Sequence, residues 1–345
     1  MTTLTEKVVK KLKTKKGKDD TEISAQIGVE GLESEVSGFV STQCPMLDYI
    51  IGQPGIPKGR LTTIVGQEGS GKSTLALHLL KETQKNGGIG VLADTEHRLW
   101  TDRASKIGID FDNNFIFLRP ETLEETMDGV EQVVMGIREE DPEIDVTIVV
   151  DSIAGAPTQA DLSLKYGETL PASHARLIAL ALRRIHPLIS RERVCLIFVN
   201  QLRYKIDFGR WGPPQMVMLA EKSINYHSSL KLYLEQSAKL GDVKSPTGIR
   251  VAATVLESRI SPREGWKCTF DLDFRTGIDT FGSALDVLVV ANAVTFAGGW
   301  YDFEGTKFRR GDFAKIVEKN PTLLEFVQVA PVMWQEEVMV AEEES

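Results

Sequence analysis

Residues Gly66-Gln67-Glu68-Gly69-Ser70-Gly71-Lys72-Ser73-Thr74 satisfy the spacing G-x-x-x-x-G-K-[ST] of a phosphate-binding loop. Glycines at those positions let backbone N–H groups turn inward around an anion, where a Cβ would clash. Lys72 has the reach for β- and γ-phosphates, and the Ser73 hydroxyl is a hard oxygen ligand suited to Mg²⁺. Two acidic segments add the chemistry that such a loop lacks. Asp94-Thr-Glu96-His97 places a carboxylate where it can orient and polarise water, and Glu96 is the candidate base. Val149-Val-Asp151-Ser152 is an apolar run ending in a carboxylate able to reach a metal directly or through water. Asn200-Gln201 ends a third apolar run, so Gln201 is a candidate sensor of the γ-phosphate.

These groups must be carried by alternating strands and helices. Arg60–Val65 reads as a buried strand and Ser73–Gln84 as a helix, giving the strand–loop–helix context a phosphate loop requires. Strands follow at Ile89–Ala93, Asn114–Leu118, Asp145–Val150 and Val194–Val199, with helices at Thr101–Ile107 and from Thr122 to Glu139. The spacing Thr122-Leu-Glu-Glu125 suits a helix start. Ala175–Ile189 reads as helical but interrupted near Pro187. The strand runs scarcely alternate, which is the pattern of a parallel sheet covered on both faces. Beyond Ser229 three further strands lack intervening helices, which predicts antiparallel continuation. Phe313–Glu318 and Thr322–Val327 read as helices of a small C-terminal module.

The chain has 345 residues and a net charge of −9, with 42% hydrophobic and 26% charged residues, the composition of a globular protein with a large core. No apolar run approaches a membrane span and no signal segment is visible, so a cytoplasmic setting is expected. Cys44, Cys195 and Cys268 lie far apart without metal-ligand spacing, as in a reducing compartment. Charge is distributed unevenly. Seven lysines fall between Lys7 and Lys18, and Glu336, Glu337 and Glu342 to Glu344 make an acidic end. The stretch from Arg203 to Lys222 shows no clear periodicity. It interleaves Arg203, Lys205, Arg210 and Lys222 with Tyr204, Phe208 and Trp211, a mixture suited to single-stranded nucleic acid, where cations hold phosphates and rings stack on bases.

From Ser41 to about Gln328 the chain resembles the RecA family of ATP-dependent recombinases. The likeness rests on the order of Ser41-Thr, Leu47-Asp48, Gly55-Ile-Pro-Lys-Gly-Arg60, the phosphate loop, Asp94-Thr-Glu-His97 and Val149-Val-Asp-Ser152. Ser173-His174, Leu196-Ile-Phe-Val-Asn-Gln-Leu-Arg203 and Gly299-Trp-Tyr301 complete it. The divergence elsewhere looks like that of a phage-encoded relative. The resemblance implies an α/β fold with a RecA-like P-loop ATPase core around a central, mostly parallel sheet. It also implies an N-terminal helical arm and a small C-terminal α/β module. The expected divisions are 1–40 (polymerisation arm and linker), 41–280 (core with DNA-binding loops), 281–330 (C-terminal domain) and 331–345 (acidic tail).

The resemblance further implies ATP and Mg²⁺ as ligands, and a helical homo-oligomeric filament on single-stranded DNA that pairs with duplex, served by a single-strand-binding or loader protein. Glu96 matches the family's catalytic glutamate, and Gln201 the glutamine coupling the γ-phosphate to the second DNA loop. Arg176 and Arg183 match arginines around the first DNA loop, and Phe274 an aromatic residue beside the adenine. Departures occur at three places. Glu257 and Arg259 stand where the family has two lysines reaching the neighbour's ATP, leaving Arg259 as the cation acting in trans. Arg103 aligns with the adenine-stacking tyrosine, with Trp100 as a possible substitute. Ala220-Glu221 replaces a glycine pair, which predicts a second DNA loop folded differently. Two other classes share these motifs: a ring-forming helicase or clock-type ATPase on the same core, and a non-catalytic DNA-binding mediator.

Overall fold

The structure is a computed structural model that describes residues 36–99, 101–165, 173–205, 215–218, 220–242 and 244–330. The expected arm helix at Leu4–Leu12, the acidic tail, Trp100, Arg210 and Trp211 lie outside these residues.

A short pair, β1 (Phe39–Val40) and β2 (Ile56–Pro57), brackets α1 (Pro45–Ile51). The main layer then alternates β3 (Leu61–Gly66), α2 (Lys72–Lys85), β4 (Ile89–Asp94), α3 (Thr101–Ile107), β5 (Phe115–Leu118), α4 (Leu123–Glu140) and β6 (Val146–Asp151). After α5 (Gln159–Leu162) and α6 (Ser173–Arg191) come β7 (Cys195–Lys205), β8 (Gln215–Met218) and α7 (Glu221–His227). Three long strands, β9 (Ser228–Gly241), β10 (Pro246–Ser258) and β11 (Lys267–Asp273), lead to β12 (Gly277–Ile278) and α8 (Thr280–Val290). The chain ends in a three-stranded sheet of β13 (Thr295–Ala297), β14 (Trp300–Phe303) and β15 (Thr306–Phe308), followed by α9 (Phe313–Lys319) and α10 (Pro321–Val329).

Among the described residues the central sheet runs β12-β11-β10-β9-β3-β7-β6-β4-β5, with β8 paired to β7. The six strands from β9 to β5 are mutually parallel, and β10, β11 and β12 continue antiparallel. The fold is thus the expected α/β arrangement around a mostly parallel sheet. The parallel strands β3, β4 and β6 are buried along almost their whole length, as in a sheet covered on both faces, whereas β10 and β11 alternate buried and more exposed residues. On β6, Val149 joins one core and its neighbours Ile148 and Val150 the other. The helices show matching stripes, Leu123, Met127, Val130, Val134 and Ile137 on α4 and Ile178, Leu182, Ile185 and Ile189 on α6, at the three- and four-residue spacing of one helix face.

The start of α4 follows its sequence signal, because the Thr122 hydroxyl accepts from the Glu125 N–H at 3.2 Å. Two readings need correction. The α6 helix runs through Pro187 without interruption; its apolar stripe continues on both sides, and that packing outweighs the hydrogen bond that proline deletes. The 203–222 stretch is structured at both ends. The β7 strand extends to Lys205 and forms an antiparallel ribbon with β8, in the register Leu202↔Met218 to Lys205↔Gln215, and Glu221 and Lys222 open α7. The C-terminal module sets the β13–β15 sheet beside its helices, as expected of an α/β module. Phe303, Phe308 and Phe313 from this module are buried in the same apolar cluster as α1 and β10.

Candidate active site

The strand register lines up one edge of the sheet. Gly66 on β3 pairs with Gln201 on β7, Val199 with Asp151 on β6, and Asp151 with Asp94 on β4. Loops leaving the carboxyl ends of these strands therefore share one crevice, the usual ligand position in an open α/β sheet. The crevice is a cleft of 320 Å³ whose walls include Lys72, Ser73, Glu96, Asp151 and Gln201.

The phosphate loop wraps the start of α2. Gly69 and Gly71 have φ of 76° and 92°, left-handed values that suit glycine. A Cβ on Gly69 would point into open space, whereas one on Gly71 would press Leu272 at 3.0 Å. Glu68 and Gly69 of the loop and the first residues of the 14-residue α2 line the cleft together, so the positive helix end borders it, as an anion site requires. Lys72 Nζ donates to the Gln67 carbonyl at 2.6 Å. Burial lowers the Lys72 pKa, opposed by the carboxylates of Asp151, Glu96 and Glu68. The buried Ser70 hydroxyl has no hydrogen-bond partner, which leaves a polar atom inside the loop for a phosphate oxygen.

Glu96 is held from three directions. Its Oε1 accepts from the Ser152 hydroxyl and from Gln201 Nε2, each at 2.6 Å, and its Oε2 lies 3.4 Å from Arg98 Nη1. Thr95 Oγ1 donates to the Ser152 carbonyl at 2.6 Å, which ties the β4 and β6 ends together. Burial pushes the Asp151 carboxyl up to about 6, opposed by the Ser73 hydroxyl that donates to it, with Glu96 and Asp94 adding to the rise. A hydroxyl and a carboxylate, with two more carboxylates nearby, form a hard-oxygen, anionic set that fits a hydrated Mg²⁺.

Arg103 also lines the cleft and donates to Thr74 Oγ1 at 2.8 Å, while its buried Nε has no partner. The remaining sequence candidates lie elsewhere. Phe274 follows β11 near the same edge but outside the cleft lining. Arg176 and Arg183 are exposed on α6; seven residues apart, they share one helix face. Arg203 and Lys205 fall on the β7–β8 ribbon, four residues or fewer past Gln201.

Arg259 lies at the opposite sheet edge. Ser258 pairs with Leu230 on β9, and Ser228 with Leu61, the first residue of β3. The exposed Arg259 guanidinium donates to the Tyr226 and Asn225 carbonyls at 2.9 and 3.2 Å, capping α7. Glu257 is paired with Lys231 at 3.4 Å. Two residues that hold Glu96 were absent from the sequence candidates. Ser152 stood in a quoted motif without a role, and Arg98 carried no signal at all, because its approach to Glu96 depends on the turn after β4.

The fold and cleft define a phosphate-loop α/β protein with a carboxylate poised beside the loop. Comparison with known proteins narrows this class: the RecA N-terminal domain family model matches residues 5–279. Protein RecA of Chlorobium chlorochromatii is 34% identical over 292 residues, covering 84% of this chain and 80% of that protein. Protein RecA of Chlorobaculum tepidum is 33% identical over 286 residues, with 82% and 80% coverage, and that of Syntrophobacter fumaroxidans 31% over 299 residues, with 86% and 84%. The chain belongs to the RecA family.

Proposed function

We propose that this protein is a DNA-dependent ATPase that assembles as a filament on single-stranded DNA, pairs it with homologous duplex and exchanges strands. ATP binding, DNA binding, recombination and repair accord with its RecA-family membership. The observation that carries the reading is the Gln201–Glu96 hydrogen bond. It joins the candidate base to the strand that runs directly into the β7–β8 ribbon, where Arg203 and Lys205 lie. One residue thus senses the γ-phosphate side of the cleft and connects it to a segment proposed to hold DNA.

The proposed chemistry follows from the cleft. Loop N–H groups, Lys72 and the start of α2 hold the triphosphate. Ser73 and Asp151 would hold Mg²⁺, which would supply charge neutralisation at the phosphate oxygens. Glu96, oriented by Ser152 and Gln201, positions a water. Its oxygen bonds the γ-phosphorus while the bond to the β,γ-bridging oxygen breaks. That oxygen keeps the electron pair and leaves with the diphosphate, and one water proton passes to the Glu96 carboxylate. Arg103, and Trp100, are proposed on the base side of the nucleotide, with Phe274 nearby. Arg176, Arg183, Arg203, Lys205, Arg210 and Trp211 are proposed DNA contacts. The divisions 1–40, 41–280, 281–330 and 331–345 are proposed as arm, core, C-terminal domain and tail. Among the described residues no helix is long and apolar enough to cross a membrane.

The test is ATP hydrolysis with and without single-stranded DNA, together with exchange of a strand between a circular single strand and a linear duplex. DNA-stimulated turnover with exchanged product is expected. Turnover indifferent to DNA, or duplex unwinding without homology, would contradict the proposal.

A further inference from the structure

We propose that Arg98 is a cis-acting catalytic residue that leaves the Glu96 carboxylate to contact the γ-phosphate of its own protomer's ATP. The inference rests on the ATPase reading above and concerns the source of positive charge within that site.

Four observations carry it. First, Arg98 lines the same cleft as the phosphate loop and Glu96. Second, its Nη1 lies 3.4 Å from Glu96 Oε2 and 3.4 Å from Glu68 Oε1 of the phosphate loop. The guanidinium therefore bridges the candidate base and the loop. Third, its backbone is pinned while its side chain is not. The Asp94 carboxylate accepts from the Arg98 and Leu99 N–H groups at 3.3 and 3.0 Å, yet the Arg98 side chain is 68% exposed. A fixed Cα at the rim with a solvated head lets the guanidinium exchange partners without moving the turn. Fourth, the other two cations of the cleft lining are already engaged on the loop side, Lys72 donating to the Gln67 carbonyl and Arg103 to Thr74 Oγ1. Glu257 is paired with Lys231, and Arg259 is at the far sheet edge, so neither reaches the loop of its own protomer.

The chemistry of the exchange is direct. While Arg98 pairs with Glu96, it occupies the oxygen, Oε2, that Ser152 and Gln201 leave open. A triphosphate brings more negative charge to the cleft than either carboxylate, and a guanidinium matches phosphate oxygens bidentately. Transfer of Arg98 to the γ-phosphate frees Oε2 to hold the attacking water and places positive charge beside the negative oxygens of the transferring phosphoryl group. Loss of that phosphate on hydrolysis returns Arg98 to Glu96. A diphosphate offers no such partner, so Arg98 also distinguishes the triphosphate from the diphosphate.

Arg98→Ala, Arg98→Lys and wild type are compared in two measurements. The first is direct binding of ADP and of a slowly hydrolysed ATP analogue, read by calorimetry with Mg²⁺. Arg98→Ala is expected to lose roughly tenfold of the preference for the triphosphate, while ADP affinity changes less than about twofold; Arg98→Lys retains part of the preference. The second is DNA-stimulated turnover, where Arg98→Ala is expected to lower kcat by roughly 100-fold and to raise KM for ATP by up to about tenfold, in step with the weaker triphosphate binding. Equal preference and equal kcat in wild type and Arg98→Ala would overturn the proposal. Binding reads Arg98 independently of turnover, so a wild-type protein without hydrolysis would count against the ATPase reading alone. Mixing decides between cis and trans. Filaments of Arg98→Ala and Glu96→Gln protomers should show no recovery, because every site then lacks one of the two groups. Recovery of activity would place Arg98 across the interface and contradict the cis assignment.

Discussion

Removing the Lys72 ammonium takes away a phosphate contact without touching core packing, so Lys72→Ala should abolish nucleotide binding and turnover in a protein with an unchanged melting profile. Glu96→Gln keeps the shape and loses the negative charge. Its ATP should bind and persist, with kcat lower by about 100-fold or more, and normal turnover would remove Glu96 from the chemistry. Asp151 makes a different prediction, in pH. Its carboxyl sits at about 6 against an ordinary 3.8, so the native state binds a proton that the unfolded chain has already released. Stability of the metal-free protein should therefore fall as pH rises from about 4 to 6 and level off above. Asp151→Asn should raise that stability by on the order of 1–3 kcal/mol at pH 8 and much less at pH 4. Protons compete with Mg²⁺ for the same oxygen, so Mg²⁺-dependent binding of an ATP analogue should weaken below about pH 6. Asp151→Asn should lose that dependence. Affinity for the analogue that ignores both Mg²⁺ and pH would exclude Asp151 as a ligand. The phosphate loop, Glu96, Asp151 and Gln201 were all legible from residue type and spacing. Arg98 and Ser152 were not, since their convergence on Glu96 exists only once β4, β6 and β7 are in register.

At the scale of elements, the long apolar runs of β3, β4, β6 and β7 and the striped helices α4 and α6 announced themselves by period. The short pieces did not. β13 to β15 are three or four residues each, too short for a period to show, and β8 is recognisable only by its pairing with β7. Pro187 misled because local propensity disfavours proline inside a helix, while burial of Ile185 and Ile189 decides the outcome. Ala220-Glu221, in place of the glycine pair expected from the resemblance, has a visible consequence. Ala220 holds φ 50° and ψ 30° at the start of α7, a left-handed conformation that costs an L-residue roughly 1 kcal/mol. Ala220→Gly should therefore stabilise the protein by up to about 1 kcal/mol in urea titration; a clear loss would mean the conformation is unstrained. The elements proposed to face DNA make a separate prediction. Each phosphate neutralised adds roughly −0.7 to the log–log salt slope on a single strand. Arg176→Ala or Arg203→Ala should reduce the slope by about that amount without altering sequence preference, and an unchanged slope would remove that residue from the interface.

On the scale of the whole molecule, a net charge of −9 places DNA binding in local positive surfaces rather than in overall attraction. The position of Arg259 is also a whole-molecule matter. It lies at the sheet edge opposite its own phosphate loop, so any contact with ATP requires a second protomer. Mixed Arg259→Ala and Glu96→Gln protomers, each inactive alone, should recover part of the activity, because some interfaces then pair an intact Arg259 with an intact Glu96. No recovery in shown co-assemblies would exclude action in trans. The central claim, an ATP-driven filament on single-stranded DNA, is tested most directly by electron microscopy of the protein with single-stranded DNA, Mg²⁺ and a slowly hydrolysed ATP analogue. Continuous helical filaments that require both DNA and the analogue, and that Lys72→Ala fails to form, are expected. Closed rings, or isolated protomers under conditions where the analogue and DNA are both bound, would contradict the account.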